Sequence, residues 1–288
     1  MSLPVNISGT ITRTLCFYSS PPGGATPEYI AETGTTPGER NYPHERVLVS
    51  IRDIRGHEED FTLDQHSFAA LPALIPPHVN FEADDEIEAR YLPWVKSLIM
   101  DSIPFAESTT IFDFTVRKAS ALKTANRQVH KIHIDQSPKG AYLRINRHLS
   151  VSELKAIEAG KATFRIVNVW KPINQTVTDH PLAFGEYKSL RTTDLVPVRQ
   201  VYPDYVGETY ALKYNENQKF RYWSNATPND ILLLQCFNSR QLDNISENGL
   251  RYNQCAHGSF ELSELGDQKY ARESIEVRCI VVVKERID

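Results

Sequence analysis

The chain lacks any run of 18 apolar residues, so no membrane-spanning helix is expected. Its start, Met1-Ser2-Leu3-Pro4, lacks a basic stretch followed by an apolar core, so no secretory leader is expected and a cytoplasmic location is. Cysteine is scarce. Cys16, Cys236, Cys255 and Cys279 include no pair spaced C-x-x-C, which argues against a zinc cluster and for small buried thiols in a reducing compartment. An excess of positive charge is also missing. The 32 Lys and Arg against 36 Asp and Glu are scattered and leave a net charge of −4, which argues against a nucleic-acid partner. No internal repeat or low-complexity tract stands out. Apolar residues at 41% and charged residues at 24% of 288 are ordinary for a globular chain and exclude wholesale disorder.

What is present is mostly strand. Short stretches with strand composition, Val47–Ile51, Ile111–Arg117, Val129–Ile134, Thr163–Trp170, Glu208–Tyr214, Ile231–Phe237 and Ser274–Lys284, are separated by prolines and polar turns. That pattern predicts an antiparallel sandwich or barrel, read as one domain over residues 1–288. Two helices are legible. Ile87, Tyr91, Val95, Leu98 and Ile99 recur at helical spacing behind Asp84-Asp85-Glu86, with Pro93 forcing a kink or a late start. Ser150-Val151-Ser152-Glu153 is a capping box, and Gly160 a natural stop. Residues 18–44 are rich in Pro, Gly and Thr and read as a loop and lid candidate; Leu71–Val79, with Pro72, Pro76 and Pro77, is a second one.

Nine histidines are available for a metal site. On a strand, residues i and i+2 share a face, so His133 and Asp135 would present an imidazole and a carboxylate to one ion. The spacing alone is weak, because about one H-x-D/E pair is expected by chance at this composition. His57/Glu59 is a second match, but it lies in a polar turn where a solvated charge run is the better reading. His133 instead ends an apolar-alternating segment. His257, beside Gly258 in Gln254-Cys255-Ala256-His257-Gly258-Ser259-Phe260, is the best distal partner, since glycine permits close backbone approach near a site. His130 is out of phase with Asp135, and His180 precedes Pro181 in a turn. Two histidines and one carboxylate leave three coordination positions open, the arrangement of non-haem Fe(II) oxygenases.

Arg272 follows His257 by 15 residues, and Ser274 lies two further on; both would face one side of the last strand, opposite Ile275, Val277, Cys279, Val281 and Val283. A guanidinium and a hydroxyl facing inward form a carboxylate clamp, as 2-oxoglutarate requires. The competing reading pairs Arg272 with Glu273, Glu276 or another acid. The order H-x-D, H, R-x-S favours the clamp. An aromatic content of 10%, with no second basic cluster standing out, points to a bulky apolar small-molecule substrate.

Five blocks carry a family resemblance: His133-Ile134-Asp135-Gln136-Ser137, Arg165–Pro172, Thr227–Phe237, Cys255–Phe260 and Ala271–Arg278. Together, from about Val47 to the end, they resemble the fungal and bacterial oxygenase-like family that includes an aspergillic-acid hydroxylase, a cephamycin methoxylation protein and gibberellin-desaturase-like proteins. The resemblance implies a mainly β fold, a double-stranded β-helix or jelly roll with supporting α-helices. It implies Fe(II), 2-oxoglutarate and O2 as cofactor and cosubstrates in secondary metabolism, and a homodimer by family habit. Carried over by position, His133, Asp135 and His257 are the implied metal ligands, and Arg272 and Ser274 the implied cosubstrate clamp. Asn168 and Trp170 border the cosubstrate or substrate, with a structural role for Trp170 the alternative. Within the family the chain most resembles a fungal meroterpenoid endoperoxidase, so endoperoxide formation stands beside hydroxylation and desaturation. Gln235 and Asn238 depart from the family's usual Lys and Asp around Cys236. A metal-binding jelly roll without oxygenase activity, and a non-catalytic β-sandwich binding module, are the rival classes.

Overall fold

The computed structural model describes residues 9–31, 38–74, 76–118, 130–240, 249–262 and 272–285. The strands are β1 (Thr10–Tyr18), β2 (Glu28–Ile30), β3 (Glu39–Arg40), β4 (His44–Asp53), β5 (Phe68–Leu71), β6 (Ala106–Lys118), β7 (His133–Ile134), β8 (Ala162–Pro172), β9 (Leu182–Gly185), β10 (Leu195–Tyr202), β11 (Tyr205–Leu212), β12 (Phe220–Tyr222), β13 (Ile231–Asn238), β14 (His257–Ser259) and β15 (Glu273–Lys284). The helices are α1 (Leu63–His66), α2 (Asp84–Glu86), α3 (Leu92–Ser102), α4 (Pro138–His148) and α5 (Val151–Glu158). One sheet runs β1-β4-β12-β9-β14-β7-β11-β10-β2-β3, the other β5-β13-β8-β15-β6. The predominantly β architecture, with two curled and mostly antiparallel sheets, is the expected jelly roll.

Strand alternation explains the layering. On β15, Ile275, Val277, Cys279 and Val281 have no solvent exposure and join Val167, Val169 and Leu233 against the helical layer of α3. Each such aliphatic side chain contributes roughly 1.5–3 kcal/mol by leaving water. The other parity of the same strand, Ser274, Glu276 and Arg278, faces the ten-stranded sheet, followed by Ile280 and Val282 packed beneath α4. On β7 and its flank, Ile132 and Ile134 point to the opposite core of the ten-stranded sheet, which leaves His133 facing inward.

Pro93 is accommodated by a local π turn in place of the expected kink or late start. The π turn, over Ile87–Tyr91, joins α2 to α3 without a break in helical backbone, and Pro93 follows that wider turn, where the i−4 hydrogen bond it cannot make is already displaced. Ile87, Tyr91, Val95 and Ile99 are fully buried, as the spacing required. The Ser150 capping box forms with both of its hydrogen bonds. All four cysteines are free, and three are buried.

Several expectations change. The strand read over Glu208–Tyr214 lies earlier, at β11, and of Val129–Ile134 only His133–Ile134 is strand, residue 129 lying outside the described residues. Helix α4 has no counterpart among the two helices legible in the sequence; Ser137 caps it through Gly140 N–H and Pro138 opens it, while its polar composition hid its amphipathic period. The 18–44 segment is not a plain loop. β2 adds parallel to β10, β3 pairs with β2, and Tyr18, Tyr29, Arg40, Tyr42 and His44 line an interior cavity; residues 32–37 lie outside the described residues. Leu71–Val79 does not reach that cavity. Leu74 and Val79 pack into the α3 layer on the far side of the small sheet, with residue 75 outside the described residues.

Candidate metal centre

Antiparallel pairing puts His257 of β14 directly opposite His133 of β7. Their ring centroids lie 4.7 Å apart. Asp135 follows β7, with Oδ1 3.1 Å from His133 Nε2 and 4.0 Å from His257 Nε2. One donor atom from each of the three lies within 4.8 Å of the others. The sequence pair and its remote partner therefore meet, as read.

Both imidazoles are oriented by main chain. His133 Nδ1 donates to the Lys131 carbonyl at 2.8 Å, and His257 Nδ1 to the Cys255 carbonyl at 3.1 Å. With Nδ1 protonated, the Nε2 lone pair of each ring is aimed at the shared centre, the form in which neutral histidine binds a metal. Burial and the neighbouring His133 ring push His257 below its ordinary value, which keeps it neutral. Gly258 makes the approach of β14 to β7 feasible: a Cβ there would stand 2.7 Å from the Lys131 carbonyl oxygen.

Asp135 divides its two oxygens. Oδ1 faces the histidines, while Oδ2 accepts from Asn168 Nδ2 at 2.7 Å and from Arg278 Nε at 3.2 Å. Burial pushes the carboxyl up, but the Arg278 guanidinium outweighs it and holds Asp135 well below the usual carboxylate range. Arg278 also pairs with Asp113 at 2.7 Å and with Glu276. Burial works against its charge, but Glu276, Asp135 and Asp113 together raise it well above the ordinary arginine value. The donor set and its bracing fit a divalent transition metal with one face left open.

Two spaces meet at this centre. A cavity of about 400 Å³ reaches His133, Asp135, Arg117 and Arg278 from the β2–β3–β10–β11 side. A small recess behind His257 is lined by Arg117, Trp170, Leu182, Gly258, Arg272 and Glu276. Arg272 is fully buried at its end; its backbone N–H donates to Asp179 at 2.8 Å and its guanidinium to the His180 carbonyl. Burial and the nearby Arg117 push its pKa down to about 10 against the pull of Asp179 and Glu276. Ser274 is fully buried, and among the described residues its Oγ has no hydrogen-bond partner. Ser274 does not line the recess; the Arg272 guanidinium at its end is the group that fits an anionic ligand there.

Of the two residues read as bordering the cosubstrate, Trp170 lines the recess, its ring centre 5.7 Å from the Arg272 guanidinium. Asn168 lines neither space and instead holds Asp135. His130 and His180 pack edge to face on each other, outside the triad. His57 and Asp60 form an exposed polar turn. Sequence reasoning missed Glu276, Arg278 and Arg117. The signal for the first two was available, since they continue the parity of Arg272 and Ser274 along β15; Arg117 stands opposite Ser274 on β6.

A family profile described as an oxidoreductase/YMDC permease-like domain matches residues 15–282. A hydroxylase/desaturase of Hormonema carpetanum, efuI, is 27% identical over 95% of this chain and 95% of that protein. The Fe(II)/2-oxoglutarate-dependent dioxygenase nvfI of Aspergillus novofumigatus is 26% identical over 94% of this chain and 98% of its own length. A solved structure of the iron and alpha-ketoglutarate-dependent endoperoxidase NvfI superposes with a TM-score of 0.81 at 22% identity, covering 96% of this chain and 99% of that one, and shares its fold.

Proposed function

The chain belongs to the oxidoreductase/YMDC permease-like domain family, and from that premise we propose that it is a non-haem Fe(II)/2-oxoglutarate-dependent oxygenase of secondary metabolism acting on a bulky small molecule. The observation that carries this reading is the convergence of His133, Asp135 and His257 at the junction of a substrate-sized cavity and a recess ending in Arg272. His133, Asp135 and His257 hold the iron. Arg272 takes the distal carboxylate of 2-oxoglutarate. Iron with 2-oxoglutarate and O2 supplies oxidation of an unactivated C–H bond, with release of succinate and CO2. The chain's own residues fix the two rings through backbone carbonyls, hold Asp135 through Asn168 and Arg278, and line the recess with Trp170 and Leu182, which shield the anion from water. Relatives and fold neighbours are named as hydroxylase/desaturases and as an endoperoxidase, so hydroxylation, desaturation and endoperoxide formation are the outcomes this reading spans. A skeleton rich in apolar rings fits the seven aromatic side chains of the large cavity.

Two measurements test the reading. Addition of 2-oxoglutarate raises the Tm in the presence of Mn(II) and much less in its absence, as linkage through a chelated ligand requires. His133→Ala or His257→Ala abolishes Fe(II)-dependent succinate release. Wild-type succinate release from either variant would remove the ligand assignment. Stabilisation by metal alone, with no response to 2-oxoglutarate, would favour a metal-binding jelly roll of another activity.

A further inference from the structure

The large cavity has a charged end that the proposed reaction does not use. Lys131 lies two residues before His133, and both line this cavity. Lys131 does so beside Arg40 and His44. Three tyrosines complete this end: Tyr18 and Tyr42, with ring centroids 5.2 Å apart, and Tyr29, under the Arg40 guanidinium at 4.5 Å. Among the described residues, no carboxylate comes within 4.0 Å of the Lys131 ammonium or the Arg40 guanidinium. At the metal end of the same cavity Arg278 is balanced by Asp113 and Asp135. His44 registers the local field: burial, then Lys131 and Arg40, push it down to about 4.

Two cations that no carboxylate among the described residues neutralises, with phenol hydroxyls around them in an open-sided cavity that reaches His133, suit an anion from the ligand side. The cosubstrate does not supply it, because its carboxylate is taken by Arg272 in the separate recess. We propose that the substrate is a ring-bearing carboxylic acid whose carboxylate is held by Lys131 and Arg40. The apolar skeleton then lies over the tyrosine walls, and the carbon to be oxidised lies over the metal face beyond His133. This rests on the oxygenase reading for the identity of the site as a substrate site. The anion pocket itself is testable without metal.

The probe pair is anthracene-9-carboxylate and its methyl ester, titrated by fluorescence into metal-free protein. The acid binds more tightly than the ester, and Lys131→Gln and Arg40→Gln each weaken the acid about tenfold while leaving the ester unchanged. Arg40 lies on an exposed edge strand, so Arg40→Gln remains informative if Lys131→Gln fails to fold. Equal binding of acid and ester, or equal losses for both in the variants, overturns the proposal. Displacement of the acid by 2-oxoglutarate with the same sensitivity to Lys131→Gln also overturns it, by assigning the cations to the cosubstrate. Acid selectivity in a protein that shows no Mn(II)-dependent response to 2-oxoglutarate would keep the anion pocket and remove only the oxygenase reading.

Discussion

Substituting Gly258 by alanine tests the metal centre at its narrowest point. Gly258 has no positive φ, so alanine fits its backbone, and the lower chain entropy of alanine would by itself stabilise the fold by about 0.4–1 kcal/mol. The structure predicts the opposite sign. The new Cβ would lie 2.7 Å from the Lys131 carbonyl oxygen and 3.0 Å from both the Lys131 carbonyl carbon and Ile132 Cδ1. Restoring an ordinary contact of 3.4 Å from 2.7 Å requires β14 and β7 to part by about 0.7 Å. The obstacle is main chain, which does not rotate away. Overpacking of this kind costs about 1–3 kcal/mol. The displaced carbonyl is the one that anchors His133 Nδ1, and His257 is the adjacent residue, so both rings lose their aim. Disturbing such bracing lowers metal affinity by about 10- to 100-fold. Calorimetry on metal-free protein should show a lower Tm for Gly258→Ala, and anaerobic Mn(II) titration a correspondingly weaker Kd. A Tm equal to or above wild type, together with unchanged Mn(II) affinity, would refute the close-approach argument.

Other outcomes follow from the same geometry. Asn168→Ala removes one of two donors to Asp135 Oδ2 and lowers Mn(II) affinity about tenfold with little change in fold, checked by metal titration and circular dichroism. Arg278→Met leaves Asp135 and Glu276 buried without their cation; stability falls by about 3–5 kcal/mol in denaturant titration, and Mn(II) binding is lost at a higher pH than in wild type, because burial then dominates the Asp135 carboxyl. Arg272→Met raises the KM for 2-oxoglutarate on the order of 10- to 100-fold, and an unchanged KM would move the cosubstrate elsewhere. In metal-free protein, His257 and His44 both sit below their ordinary 6.5 in the folded state, His44 at about 4. The unfolded chain therefore binds more protons below pH 6.5, and Tm should fall as pH drops from 7 toward 4, with His44→Gln flattening part of the loss. A Tm that rises over that interval would contradict the burial of these two rings.

The H-x-D pair was legible because strand parity is a local rule, whereas His257 was reached through its neighbouring glycine and the family blocks. His133 and Asp135 are two apart, and Arg272 and Ser274 repeat the spacing on the last strand. The same rule carried two residues further reaches Glu276 and Arg278, but whether a charge at such a position is buried depends on Asp113 and Asp135 arriving from other segments. The cationic end of the cavity was invisible for the same reason. Arg40 and Lys131 are 91 positions apart in sequence, and Lys131 comes beside the amino-terminal strands only through its bridge to Cys16. Helix α4 escaped because Pro138–His148 buries only Gly140, Ala141 and Ile145, too narrow a stripe to stand out in a polar stretch. Proline and glycine content misled at 18–44, where β2 gains its order from an edge of β10 rather than from its own composition.

The two imidazoles take their aim from peptide carbonyls at 131 and 255, whereas the walls of the large cavity are side chains, most of them borne by other strands. Chelation is thereby aimed by main chain and selectivity set by side chains, even at Lys131, whose carbonyl serves the one while its side chain lines the cavity for the other. Tyrosines and cations around the cavity can be exchanged one at a time to admit a new molecule while the coordinating geometry is inherited intact, so the fold is suited to acquiring new substrates by successive substitutions in its lining.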